Sequence, residues 1–263
     1  QTSADKSPLC DPNTDPLCSL PQFNNFTMEV VQRIGYDSFT TDNGVLIVKN
    51  KDQQGPACGY SCHAWVIDAH PEDMNMIDFV KPNGTRVMRT IADYRQLDDA
   101  LFHAGLRSGS QFEWEDTANR LHFYVIDRQM SGAGVLSYVL GVKSLDGAGP
   151  QTRGVSAAAP ASATLGGQRG TFQLSVTNTG KSAGAAPGTA FNNDIYRIRV
   201  ALDGAGWSGD VANALVAVPF GASANVPVSF GKASGAAASA TVTVTVISES
   251  DPTKVATVKV AVK

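Results

Sequence analysis

ATVTVTVIS, residues 240–248, decides the fold. Valines at 242, 244 and 246 alternate with threonines at 241, 243 and 245. A strict period of two sends one set of side chains to each face, the signature of a half-buried strand. The same pattern recurs on both sides. FQLSVTN at Phe172–Asn178 puts Phe172, Leu174 and Val176 on one face, and DIYRIRVAL at Asp194–Leu202 sets Tyr196, Ile198 and Val200 against Ile195, Arg197 and Arg199. NVPVSF at Asn225–Phe230 and TVKVAVK at Thr257–Lys263 complete the set. Short alternating strands separated by Gly, Asn, Asp and Pro predict an immunoglobulin-like β-sandwich over residues 166–263. With no Cys…Trp…Cys arrangement it is a disulfide-free variant, and Trp207 is expected to pack in or against its core.

The first half reads differently. FTMEVVQR at Phe26–Arg33, GVLIVKN at Gly44–Asn50 and AWVIDAH at Ala64–His70 each predict a strand, with Asp42-Asn43-Gly44 as a turn before the second. DYRQLDDALFHA at Asp93–Ala104 places Tyr94, Leu97, Leu101 and Ala104 at helical spacing. Phe112–Glu115 and Leu121–Asp127 predict a hairpin about Asp116–Asn119, and Val135–Val142 a last strand. The expected class is mainly β: an α+β domain with an antiparallel sheet over residues 26–147, then the sandwich. Residues 1–25 hold Pro8, Pro12, Pro16 and Pro21 and are expected to be irregular. Residues 148–165, within a Gly/Ala/Ser/Pro-rich seam from Leu145 to Gly167, are expected to form a linker or a loosely held leading edge.

Every Cys, His and Met precedes residue 150, so thiol and imidazole chemistry is confined to the first half. Residues 1–150 carry 12 Lys+Arg against 19 Asp+Glu, a balance of −7, and residues 151–263 carry 9 against 5, or +4. Neither half has the clustered cations of a nucleic-acid-binding surface. No apolar run approaches the roughly 20 residues that cross a bilayer.

The chain opens on Gln1, which suggests a processed precursor or part of a longer chain. Cys10 with Cys18 and Cys58 with Cys62 make two short-loop disulfides the simplest pairing, pointing to a secreted, extracellular protein. A four-cysteine zinc site and free thiols are the alternatives. Asp11, Asn13 and Asp15 lie at positions one, three and five of D-x-N-x-D and suit calcium. Pro16 replaces the usual glycine there and Gln22 the bidentate Glu, so a plain Pro/Asp turn is the competing reading. Asn25 and Asn83 satisfy N-x-S/T.

No complete catalytic constellation is present. His63 and His70 flank a strand at an odd separation that turns them to opposite faces. His70 sits beside Asp68, Glu72 and Asp73, as a cation site or as a loop histidine held by carboxylates. His103 falls on the predicted helix and His122 on a strand. Gly59-Tyr60-Ser61-Cys62-His63 breaks the nucleophile-elbow pattern at its last position. Glu113 and Glu115 share one strand face, as a glycosidase pair would, but alternation on an exposed hairpin explains them.

Two resemblances follow from longer stretches. GTFQLSVTNTG at Gly170–Gly180, NDIYRIRVAL, Trp207, VPVSF and TVTVTVISESDPTKVATVKV resemble the bacterial extracellular sandwich modules of the NEW3 or CARDB kind. Such modules act as spacers or surface-binding units on secreted hydrolases. MEVVQRIGYDSFTTDNGVLIVKNK and WVIDAHPEDMNMIDFV resemble the region after the zinc site in secreted metallopeptidases of the immune inhibitor A (M6) type, over about residues 26–145. That family's chemistry needs H-E-x-x-H, two histidines on zinc and a glutamate base, and this chain has no such motif. No catalytic residue carries over, and zinc would enter only through an upstream catalytic region. The resemblance implies a non-catalytic C-terminal part or subunit of such a peptidase, with the upstream portion of the precursor and a polymer or cell-surface ligand as partners. The alternative is a free-standing extracellular binding or self-assembling protein.

Overall fold

The structure of the chain is a computed structural model and describes residues 25–40, 42–50, 64–70, 77–80, 86–88, 100–184 and 192–263. They divide into two units. One holds the described residues up to Ala104 together with Ser108–Tyr138, and the other holds Gly105–Arg107 and Val139–Lys263.

In the first unit, β1 (Asn25–Val31), β2 (Gly44–Asn50) and β3 (Ala64–Ile67) form an antiparallel sheet in that order. Val31 pairs with Gly44, and a 3-10 turn at Gly35–Phe39 makes the connection. The side chain of Asn43 accepts the Arg33 N–H at 2.7 Å, so the predicted Asp-Asn-Gly signal closes this loop. β4 (Ile77–Val80) and β5 (Arg86–Met88) make a short hairpin that alternation did not predict. β6 (Glu113–Asp116), β7 (Leu121–Met130) and β8 (Leu136–Ser144) form a third sheet, and β8 continues into the second unit. The β6–β7 turn falls at the predicted place. Asp116 accepts the backbone N–H of Asn119 at 3.1 Å and its side-chain amide at 2.9 Å, and Arg120 adopts the left-handed region at φ 60°.

The helix predicted over Asp93–Ala104 is corrected where it can be seen. Residues 93–99 lie outside the described residues, but 100–104 contain no helix. Phe102 exchanges both backbone hydrogen bonds with Val45 at 2.9 Å. Ala100, Leu101 and Phe102 are buried in succession, which an amphipathic helix cannot do but a segment threaded through a core can. Sheet pairing has overridden local periodicity. Among the described residues the helical content is the single 3-10 turn.

The second unit is a two-sheet sandwich. One sheet has the order β10 (Ser162–Ala163), β17 (Val255–Val262), β16 (Ala240–Ser248), β12 (Asn193–Asp203), β14 (Leu215–Pro219). The other has the order β13 (Trp207–Val211), β15 (Ser223–Lys232), β11 (Arg169–Asn178), β9 (Val155–Ala158). The alternating residues meet inside as predicted: Phe172, Leu174 and Val176 face Val242, Val244 and Val246, with Tyr196, Ile198, Val228 and Val260. Trp207 packs at the core edge and donates its indole N–H to the Ala237 carbonyl at 2.8 Å.

Within the stretch 148–165, expected as a linker or a loosely held leading edge, two short strands form. β9 pairs with β11, and β10 runs parallel to β17, so the small residues of this stretch are edge strands of the sandwich. Ala and Ser are poor strand formers, and the rows already ordered beside them supply the pairing that their propensity does not. The four cysteines, Asp11, Asn13, Asp15, His63 and Asn83 lie outside the described residues, as does the irregular segment apart from Asn25.

Candidate functional site

Two polar clusters stand out, one in each unit. In the first, the β6–β7 register places Glu115 opposite His122 and Glu113 opposite Tyr124. His122 Nε2 lies 3.0 Å from Glu113 Oε2 and Nδ1 3.6 Å from Glu115 Oε2, while the ring stacks on Tyr124 with centroids 4.2 Å apart. The two glutamates expected to be mere exposed neighbours therefore bracket a mostly buried histidine. Each ring nitrogen thus faces one carboxylate across the hairpin. On the other face of the hairpin Lys49 and Asp116 form a buried pair at 2.9 Å, with Lys49 also 5.8 Å above the Phe26 ring and 5.6 Å above Trp114.

The other described histidines are held separately. His103, outside any helix, puts Nδ1 3.1 Å from the Ser108 carbonyl and Nε2 3.2 Å from Asp42 Oδ2. His70 Nε2 lies 2.8 Å from the Gly109 carbonyl, and its backbone N–H donates to Asp68 at 2.8 Å. Glu72 and Asp73 lie outside the described residues. A catalytic zinc takes three converging protein ligands. Among the described residues no group of three His, Cys, Asp or Glu could hold a metal ion, so those present do not fit one.

The second cluster is built by the Ser-Glu-Ser-Asp-Pro turn after β16. Asp194 is 1% exposed and accepts hydroxyl bonds from Ser248 and Ser250, each at 2.7 Å, and the Ile195 N–H at 2.9 Å. Arg153 approaches Asp194 at 3.6 Å, donates to the carbonyls of Asn193 and Ala148, and lies over the Phe220 ring. Glu249 receives Arg197 at 2.5 Å and Lys143 at 3.2 Å. Tyr196 donates to the Gly154 carbonyl at 2.8 Å. Burial first, and the Asp194 charge second, push its phenol well above the ordinary range, against a smaller opposing effect of Arg153. The cluster joins residues 143–154 to the turn at 248–251 by saturated polar contacts, a structural fastening with no free nucleophile or base in it. Sequence reading marked the turn but missed its partners, because Arg153 sits in the stretch that composition marks as a linker and Lys143 at the end of β8 before it.

A family model described as a middle domain matches residues 1–145, and one described as a Peptidase M6-like domain matches residues 153–263. The M6 description thus falls on the sandwich, whereas the sequence motifs placed that likeness on about residues 26–145. A protein of Arthroderma benhamiae named as a candidate secreted metallopeptidase is 42% identical over 266 residues, covering 96% of this chain. The chain spans 38% of that relative's length. Among solved structures, a FixG-related protein from Vibrio parahaemolyticus (20% identity, 42% of this chain and 92% of that one) matches with a TM-score of 0.27. An Escherichia coli alpha-2-macroglobulin fragment (14% identity, 43% and 16%) matches with a TM-score of 0.28. The match to the middle-domain model over more than half of the chain makes this chain a member of the family that the model describes, with a stretch similar to a peptidase M6-like domain following it.

Proposed function

We propose that the chain is a non-catalytic C-terminal part or subunit of a secreted M6-like metallopeptidase. Its first unit completes the peptidase fold. Its sandwich presents a surface for substrate or cell-surface attachment, in the manner of the NEW3 and CARDB modules. One observation carries this reading: the chain aligns with 38% of a longer metallopeptidase-named relative and contains no H-E-x-x-H. The described histidines add support, since each is held by a carbonyl or carboxylate and they do not converge. Secretion rests on the relative's name.

The test has two parts. The chain expressed alone is expected to leave casein uncleaved, with or without added zinc, and proteolysis by the chain alone overturns its non-catalytic role. Deleting the matching stretch from the longer relative is expected to lower that protein's melting temperature or its adsorption to substrate. A deletion that changes neither, with activity intact, overturns the supporting role.

A further inference from the structure

Resting on the reading of the sandwich as an attachment module, we propose that the outer face of its five-stranded sheet binds an acidic polysaccharide. The register lays out a grid across β12, β16 and β17. Arg199 lies opposite Thr245, which lies opposite Thr257; in the next row Ala201 lies opposite Thr243, which lies opposite Lys259. Thr241 and Ala261 extend the grid one row further beside Asp203. The valines between these residues point into the core, so the whole outward set is aimed at solvent. Arg199, Ala201, Thr257, Lys259 and Ala261 are exposed, and the three threonines of the central strand are half-buried between them.

Charge selects the ligand. Arg199 and Lys259 stand diagonally across the grid, about 12 Å apart for strands about 4.8 Å apart and rows about 6.8 Å apart. Among the described residues no carboxylate forms an ion pair with either. Of the nearby acids, Glu249 is engaged by Arg197 and Lys143, and Asp203, at the grid's far row, accepts the Thr241 N–H at 2.5 Å. Two free cations separated by hydroxyls complement a chain that carries regularly spaced carboxylates among its own hydroxyls. The Arg199 guanidinium offers a planar fork for a carboxylate and each threonine both gives and accepts a hydrogen bond. This outward set contains no aromatic ring on which an unpaired base could stack, and two cations are few for a duplex.

The experiment measures binding of the intact chain to polygalacturonate, with dextran and duplex DNA as comparison polymers. Polygalacturonate is expected to bind and dextran not, with affinity falling as salt rises. R199A/K259A is expected to weaken binding about tenfold, the loss expected for two solvent-exposed ionic contacts. R169A/K181A removes the same charge away from this grid and is expected to bind as the unchanged chain does. Thermal melts establish that both variants stay folded. Equal weakening by the two variants, tighter binding to DNA, or no binding to polygalacturonate overturns the proposal. The last result leaves the non-catalytic reading standing, because casein cleavage and deletion from the relative judge that separately.

Discussion

Lys49 Nζ and Asp116 Oδ2 lie 2.9 Å apart with side-chain exposures of 11% and 4%, so the first unit carries an ion pair in its interior. The pair joins β2 to the β6–β7 turn, and the Phe26 and Trp114 rings face the ammonium. Removing one member leaves the other charge buried and unanswered. Lys49→Met is therefore expected to destabilise the protein by roughly 3–5 kcal/mol in urea unfolding. A loss under about 1 kcal/mol would mean the pair behaves as a surface contact.

Asp194 predicts a similar result in the sandwich. Its carboxylate holds two hydroxyls and a backbone N–H with almost no solvent access. Asp194→Ala is expected to cost about 3 kcal/mol and Ser248→Ala about 1 kcal/mol. Because the two share one hydrogen bond, the double variant is expected to cost less than the singles added together, by about 1 kcal/mol. Strict additivity in a double-mutant cycle would deny the coupling.

Tyr196 gives the alkaline dependence. Burial, with the Asp194 charge adding to it, raises the phenol's pKa in the folded state. Below the ordinary value of about 10 both states keep the proton and the residue contributes no slope. Above it the unfolded chain releases the proton while the folded one retains it, so stability falls as pH rises toward the folded value. Tyr196→Phe is expected to cost about 1 kcal/mol at pH 7 for the lost bond to Gly154, and to unfold with a shallower pH dependence above pH 10. Parallel curves for the two proteins between pH 9 and 11 would contradict this.

Gly180 tests the fastening after β11. A Cβ there would come within 2.5 Å of the Thr152 carbonyl oxygen and 2.8 Å of the Phe220 ring. The carbonyl belongs to a backbone bridge, Thr152 with Lys181, and cannot retreat without breaking it. Gly180→Ala is expected to destabilise by about 1–3 kcal/mol by calorimetry, although alanine normally favours the folded chain by stiffening the unfolded one.

Much of the sandwich was legible in the sequence because its strands alternate without interruption. β11, β12, β15, β16 and β17 all appear where period two placed them. β13 and β14 escaped notice: WSGDV and LVAVP lack a clean alternation, and they are ordered by pairing with β15 and β12. The helix at Asp93–Ala104 failed for the opposite reason. Leu101 and Ala104 do carry helical spacing, but Phe102 gains two backbone bonds to Val45 that no local pattern announces. Glu113, Glu115 and His122 were each identified as residues, yet only hairpin register makes them one cluster.

The sequence by itself determined the mainly β class, the strands with strict alternation, the β6–β7 turn and the absence of H-E-x-x-H. Each is a local property, written in neighbours a few positions apart. Tertiary structure alone decided that residues 155–158 and 162–163 are edge strands, that Phe102 bridges to Val45, and that Lys49 meets Asp116 and Arg153 approaches Asp194. These contacts join residues far apart in the chain, and their energy exists only once the core has brought the partners together and excluded water from between them.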